Sequence, residues 1–234
     1  MTEAGSGASR PAAPARQQAQ AEPEAPAPPE LVFQRFPAYA DALVRYAGWL
    51  AGAGTVRGLL GPREVPRLWE RHVLNSVALA ELVPVGARLV DIGTGAGLPG
   101  IAVACVRPDL RVDLVESLLR RTDYLSEVVD DLGMTARVRV IRGRAEDGQV
   151  RDKVGSAGYV TARAVAPMDK LVKWSFPLLK PNGSLLALKG SAAEDELAAH
   201  RALIVRMGGE IVGVKECGVG LVEPPTRVVQ IVRR

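Results

Sequence analysis

Apolar side chains recur along this chain with two periods, and the change between them falls near Gly86. Ahead of it, Phe36, Tyr39, Ala40, Leu43, Ala47 and Leu50 follow three- and four-residue steps, the stripe of an amphipathic helix that stops in the glycine-rich AGAGTVRG. The spacing of Trp69, Val73 and Val77 predicts a second helix over Pro66 to Leu82, closed by Pro84 and Gly86. Beyond Gly86, short apolar runs alternate with amphipathic stretches. Strands are predicted at ARLVDIG, RVDLVE, RVRVIR, GYVTARA, SLLALKG, EIVGVKECG and RVVQIV, with helices near Leu98–Val106, Ser117–Leu132, Met168–Leu179 and Ser191–Met207. SAAE at Ser191 to Glu194 has capping-box spacing, and KPNG ahead of Ser184 marks a turn. Strands alternating with helices imply an α/β fold, a largely parallel sheet covered on both faces, and the last two strands suggest an antiparallel hairpin.

Residues 1–30 hold almost no large apolar side chains, so they cannot bury enough surface to offset the entropy of ordering, and a disordered tail is expected there. The remainder, 31–234, reads as one domain: a helical N-terminal section over 31–86 and a core over 87–234. The tail carries Arg10 and Arg16 against Glu3, Glu22, Glu24 and Glu30, net −2, so the remainder carries +6 of a chain whose net charge is +4. Arginines outnumber lysines by 24 to 6, which suits phosphate recognition by a planar fork, although a general bias towards Arg would produce the same ratio. Cys105 and Cys217 are far apart and neither sits in a CxxC, so neither a disulfide framework nor a metal site is indicated. No apolar run approaches the roughly 18 residues of a membrane span, and a soluble, cytoplasmic chain is expected.

The candidate chemistry centres on LVDIGTGAGLPG, Leu89 to Gly100. In an open parallel sheet ligands bind beyond the carboxyl ends of the strands, and here the first strand runs straight into Gly93, Gly95 and Gly97. Glycines allow the tight turn and the approach of a ligand to the backbone. A dinucleotide enzyme would show GxGxxG and bring a pyrophosphate to the following helix. The spacing is DxGxGxG instead, and Asp91 at the strand end would repel a pyrophosphate while welcoming an ammonium or sulfonium group. S-adenosylmethionine carries both. Glu116, which ends the second predicted strand 19 residues beyond Gly97, is the candidate for its ribose hydroxyls. Methyl transfer is therefore favoured, with nicotinamide dinucleotide binding and a loop that only turns the chain as the alternatives.

Absences narrow the methyl acceptor. Exocyclic-amine enzymes carry an Asn/Asp-Pro-Pro-aromatic cluster after the fourth strand, where this chain reads TARAVAP, and neither cysteine lies in the Pro-Cys setting of a thiolate nucleophile. N7 of guanine already presents an unprotonated lone pair, so positioning alone would supply most of the rate. Arg163 and Lys189, at predicted strand ends, would then position the substrate rather than remove protons; ordinary surface charge is the other reading of both.

RHVLNS (Arg71 to Ser76), DIGTGAGLPGIAVA (Asp91 to Ala104), VES with the basic LLRR after it (Val115 to Arg121), TARAVAP (Thr161 to Pro167) and LALKG (Leu186 to Gly190), in this order, resemble the bacterial 16S rRNA guanine-N7 methyltransferase family, RsmG or glucose-inhibited division protein B. The resemblance covers roughly Leu31 to the C-terminus. It implies a Rossmann-like class I S-adenosylmethionine-dependent methyltransferase fold with a seven-stranded, mostly parallel sheet, and transfer of a methyl group to N7 of one guanosine in 16S rRNA. It also implies cofactor contacts at Gly93 and Leu98, at Ala145 and Glu146 in RAED, and at Arg163. Asn75 departs from it, standing where the family pattern has Asp.

His72 in RHVLNS is either a residue covering the substrate or cofactor, or a helix residue bonded to its neighbours; no second ligand at helical spacing supports a metal. Arg57, Arg63, Arg67 and Arg71 cluster ahead of the first strand and Arg120 and Arg121 open a later helix, so Arg67, Arg71, His72, Arg120, Arg121 and Lys189 are the RNA-contact candidates. Six aromatic residues lie from Phe33 to Trp69, where helix packing uses them, so shape and phosphate geometry rather than base stacking are expected to carry recognition of 16S rRNA or the small subunit by a monomer. A non-catalytic RNA-binding factor and a nicotinamide-dependent oxidoreductase are the competing functions.

Overall fold

A computed structural model of the chain describes residues 23–234. Of the expected tail, residues 1–22 lie outside the described residues; residues 23–29 lack regular structure, and the Trp69 indole donates to the Pro26 carbonyl at 2.9 Å. The N-terminal section runs through α1 (Glu30–Arg35), α2 (Ala40–Ala51) and the single turn α3 (Ala53–Val56). The one helix expected over Pro66 to Leu82 is instead four pieces: a 3-10 stretch at Pro62–Arg67, a π-helical stretch at Leu68–Leu74, α4 (Asn75–Val77) and a second 3-10 stretch at Ala78–Leu82. Pro66 lies inside the first of these and supplies no N–H, which is a local reason for the break.

The alternation after Gly86 becomes β1 (Arg88–Ile92), α5 (Gly100–Val106), β2 (Arg111–Glu116), α6 (Leu119–Asp131), β3 (Val138–Arg142), α7 (Gly148–Val154), β4 (Ala157–Arg163), α8 (Met168–Ser175), β5 (Leu179–Lys189), α9 (Ala193–Arg206), β6 (Gly209–Cys217) and β7 (Thr226–Arg233). One seven-stranded sheet results, in the order β3-β2-β1-β4-β5-β7-β6. β1 to β5 pair in parallel, and β7 lies antiparallel between β5 and β6, as the hairpin reading requires. Successive residues of a strand enter opposite cores: Leu89 and Leu114 pack with α2, α5 and α6, whereas Val90 and Val115 pack with α7, α8 and α9. Burial on both faces explains why these strands read as continuous apolar runs.

Two local expectations need correction. Ser191 does not cap α9, which starts after Ala192 without a side-chain cap; Glu194 pairs instead with Arg227, whose Nη1 also donates to the Ser191 carbonyl at 2.9 Å. KPNG does not stand as a turn ahead of the strand but bulges within β5, which starts at Leu179, with Asn182 at φ 62° and pairing that steps from Ala157–Leu179 to Tyr159–Ser184. Among the described residues no helix is long and apolar enough to cross a membrane.

Candidate active site

The glycine loop lies where β1 gives way to α5, at the carboxyl end of a strand flanked by β2 and β4, which is the point where the strand order reverses. Gly93 and Thr94 donate their N–H groups to the Val115 carbonyl at 2.9 and 3.2 Å, so the turn is tied to β2. Gly93 has φ 65°, and a Cβ there would stand 2.8 Å from Val165, so both conformation and space demand glycine. Asp91 is fully buried; its Oδ2 accepts from Thr94 Oγ1 at 2.5 Å and from the Gly100 N–H at 2.8 Å, and its Oδ1 has no partner among the described residues. Burial pushes the Asp91 pKa up to about 7, against the pull of those two bonds and of the Arg163 charge. From the helical section, Tyr46 donates its hydroxyl to the Ala96 carbonyl at 3.0 Å and braces the loop from above.

Glu116 ends β2 beside this loop. Its Oε1 accepts from the Ser117 and Leu118 N–H groups at 2.8 and 3.0 Å, and its Oε2 from the Gly95 N–H at 3.2 Å and Arg121 Nη1 at 3.5 Å. A cleft of about 190 Å³ opens here, lined among others by Gly93, Glu116, Ala145, Glu146, Val165 and Trp174. Four residues singled out from three separate stretches of sequence therefore meet at one cavity. Asp91 and Gly95 frame its loop, and Leu98 is buried with the core behind it.

Arg163, the last residue of β4, has a different position. Its Nη1 donates to Ser76 Oγ at 3.1 Å and to the Arg71 and His72 carbonyls at 3.3 Å, and its Nη2 reaches His72 Nδ1 at 2.5 Å. A guanidinium offers only donors, so Nδ1 accepts, and the ring proton sits on Nε2, which donates to Glu64 Oε2 at 2.8 Å. Burial, and then the neighbouring Arg163 charge, lower the His72 pKa and favour this neutral tautomer, while the bond from His72 lowers the Glu64 pKa. The π-helical stretch is thereby fastened to the end of the sheet.

Lys189 Nζ donates to Glu196 Oε1 at 2.9 Å and to the Ala166 carbonyl at 3.0 Å, joining β5 to α9 and to the loop after β4. Among the arginine candidates, Arg71 pairs with Glu64 at 3.3 Å and Arg121 with Glu116, whereas Arg67 and Arg120 are exposed without a hydrogen bond or ion pair among the described residues. Arg57 is occupied by Glu127 through two bonds, at 2.9 and 2.6 Å. Asn75 donates to Thr226 Oγ1 at 2.9 Å, a bond to β7 that its amide can make and a carboxylate could only accept.

The model of one protein family, GidB, rRNA small subunit methyltransferase G, matches residues 40–222 of the chain. The chain belongs to this family. Among curated relatives, ribosomal RNA small subunit methyltransferase G of Salinispora arenicola is 51% identical over 220 residues, covering 90% of this chain and 89% of its own length. The protein of the same name from Mycobacterium marinum is 55% identical over 185 residues, covering 79% and 80%. Solved structures share the fold at low identity: a predicted O-methyltransferase from Agrobacterium tumefaciens superposes with TM-score 0.52 at 18% identity over 68% of this chain and 80% of that one, and Aeropyrum pernix fibrillarin, bound to S-adenosyl-L-methionine, with 0.51 at 18% over 68% and 76%. The GidB architecture thus has the sheet of class I methyltransferases behind a helical section.

In this family member several residues of the site escaped the sequence reading. Tyr46 falls on a helical stripe and is indistinguishable there from core. Val165 and Trp174 reach the cleft from the loop after β4 and from α8; Val165 stands inside TARAVAP but was not singled out there, and the stretch around Trp174 carries no motif. Glu64 is the partner that fixes the His72 tautomer, and its spacing of eight residues from His72 signals nothing without the 3-10 and π-helical stretches between them.

Proposed function

We propose that the chain transfers a methyl group from S-adenosylmethionine to N7 of a guanosine in 16S rRNA of the small ribosomal subunit. The observation that carries this reading is the convergence of the glycine loop, Glu116 and the Ala145–Glu146 pair on one cleft in a member of the rRNA small subunit methyltransferase G family. The residues present suit the cofactor. Among the described residues, Asp91 keeps a buried oxygen without a partner, Gly93 is exposed at the cleft, and a Cβ built on Gly95 would have only the Gly93 carbonyl near it, at 3.9 Å. Asp91, Gly93 and Gly95 would hold the methionine end, Glu116 the ribose hydroxyls, and Ala145 with Glu146 the adenine. When bound, the cofactor supplies a methyl group on a sulfonium, an electrophile that needs no further activation.

The chain's own residues bind and orient. N7 of guanine needs no general base, and the side chains that could serve as one are engaged: His72 Nδ1 faces Arg163, and the Lys189 ammonium sits on Glu196. Arg163 acts as a strut that seats the Leu68–Leu74 stretch above the active-site edge, and exposed Arg67 and Arg120 are posted to meet RNA phosphates. Positioning therefore supplies the rate. The test incubates the protein with labelled S-adenosylmethionine and small subunits from cells lacking the modification, followed by digestion and identification of the nucleoside. 7-Methylguanosine is the expected product; RNA binding without any transfer would leave a non-catalytic RNA-binding factor instead.

A further inference from the structure

A second cavity, of about 550 Å³, opens at the other end of the same strands. Arg88 starts β1, Arg111 starts β2, Arg137 immediately precedes β3, and Arg139 lies within it. Lys153, near the end of α7, completes a lining with five cationic side chains. Only Asp113 and Asp152 oppose them. Asp113 is 3% exposed on its side chain and serves two guanidinium groups at once: Arg88 Nε and Nη2 at 3.0 and 2.5 Å, and Arg139 Nε and Nη2 at 2.6 and 3.0 Å. Arg111 and Lys153 are exposed, and their side chains make no hydrogen bond or ion pair among the described residues. The cavity therefore has a preorganised floor, in which one carboxylate fixes two arginines, and a rim of uncommitted positive charge.

We propose that this cavity binds phosphate groups of the RNA backbone, in a segment of the substrate other than the one that enters the active site. The proposal rests on the reading of RNA as substrate. The lining contains no aromatic ring on which a base could stack, and its uncharged members are Ala136, Val154 and Gly155, so it recognises the anion and is indifferent to the base. Guanidinium forks match phosphate oxygens in pairs, and the strand ends that carry Arg88, Arg111 and Arg139 hold them in fixed register. Strand rise puts the cavity roughly 15 Å from the glycine loop, at the opposite end of the same strands, so it meets a part of the RNA other than the one at the active-site cleft. Two separated contacts on a folded RNA raise affinity for the whole subunit above that for a short fragment.

The test compares the wild type with Arg111→Ala/Lys153→Ala and with the charge reversal Arg111→Glu/Lys153→Glu, both at exposed positions. Each is measured for binding to small subunits as a function of salt, for KM and kcat, and for S-adenosylmethionine affinity by calorimetry. The Ala pair is expected to lose about tenfold in subunit affinity at moderate salt and to show a log–log salt slope shallower by about 1.4 to 1.8, two phosphates' worth. KM for the subunit rises, kcat and cofactor affinity stay, and the reversal is worse. Variants that bind subunits with wild-type affinity and slope, while the wild type binds and methylates, overturn this proposal and leave the function standing. A wild type that neither binds nor methylates RNA overturns the function. Inorganic pyrophosphate is the third arm: a thermal shift that it produces in the wild type and not in the Ala pair, with subunit binding unaltered, would assign the cavity to a free polyphosphate and overturn the RNA assignment.

Discussion

The two ends of β1, β2 and β3 carry opposite chemistry. At the carboxyl ends stand glycine backbone at positive φ and two buried carboxylates, Asp91 and Glu116, already held by backbone N–H groups. At the amino ends the chain places arginines, two of which share Asp113 while Arg111 is left over. The first construction suits a small cationic ligand, because rigid dipoles in a dry setting need no reorganisation on binding. The second suits an extended polyanion, because exposed cations act additively, at long range, and under the control of salt. One end fails when its shape is changed, the other when its charge is.

The largest effect is expected where shape alone is altered. Gly95→Val puts a branched side chain at φ 60° into the open side of the loop, at a strain of about 1–3 kcal/mol, and should lower S-adenosylmethionine affinity at least 100-fold by calorimetry without unfolding the sheet. A folded variant with unchanged affinity would remove the loop from the cofactor site. Next comes Arg163, an arginine at the carboxyl end of β4. Arg163→Ala leaves Ser76, two carbonyls and His72 Nδ1 without their donor, an expected loss of about 1–3 kcal/mol and of several degrees in Tm, with activity down tenfold or more. Arg163→Lys should recover only part of either, since an ammonium has no fork; full recovery by lysine would mean that charge, rather than the strut, is what matters.

Asp91→Asn separates charge from hydrogen bonding. Because the folded pKa lies near 7 and the ordinary value is 3.8, the native state binds the extra proton between these pH values, and the wild type loses stability as pH rises from about 4 through 7. Asparagine keeps an acceptor for Thr94 and Gly100 and has no charge to bury. Its Tm should exceed that of the wild type above pH 7, with the gap closing near pH 4, while cofactor affinity drops about tenfold; undiminished affinity would make Asp91 a brace only. The smallest change is expected for Lys189→Ala, which removes a partly exposed pair with Glu196 worth about 1 kcal/mol or less and should move kcat by no more than about twofold. A larger loss of kcat, with the melting curve unchanged, would bring the ammonium to the substrate.

The same contrast explains what the sequence disclosed. Inner strands such as β1 and β2 were legible because burial on both faces writes an uninterrupted apolar run, the part-exposed edge strands β3 and β6 because valine and isoleucine recur in them, and the loop because positive φ writes glycine. α7 was not anticipated: in GQVRDKV only Val150 and Val154 face the core, too few to set a period. Nor was the division of the Pro62–Leu82 region, where the i, i+4 spacing of Trp69, Val73 and Val77 fits a regular helix but Arg163, about ninety residues later, takes carbonyls of the π-helical turn. The capping box failed for a similar reason, since Arg227 is a stronger partner for Glu194 than a backbone N–H. Within the site, the loop glycines were found together with Asp91 and Glu116 at the adjoining strand ends, whereas Tyr46 and Trp174, which come from elements far along the chain, and Glu64, whose tie to His72 needs the 3-10 and π-helical turns between them, were missed.

β7 is made last of the seven strands, yet it lies inside the sheet, paired along Thr226–Arg233 with β5 on one side and β6 on the other. A ribosome that has reached Pro225 has therefore produced every described helix and six of the seven described strands, but β5 is left as a bare edge and β6 has no strand to pair with. Closure awaits the synthesis of Thr226–Arg233, roughly half a second to two seconds after Pro225 at chain growth of about 5–20 residues per second. Translation that stops before Thr226 would release a chain with β5 as a bare sheet edge and β6 detached from it, prone to pair with its own kind and quickly recognised by quality control.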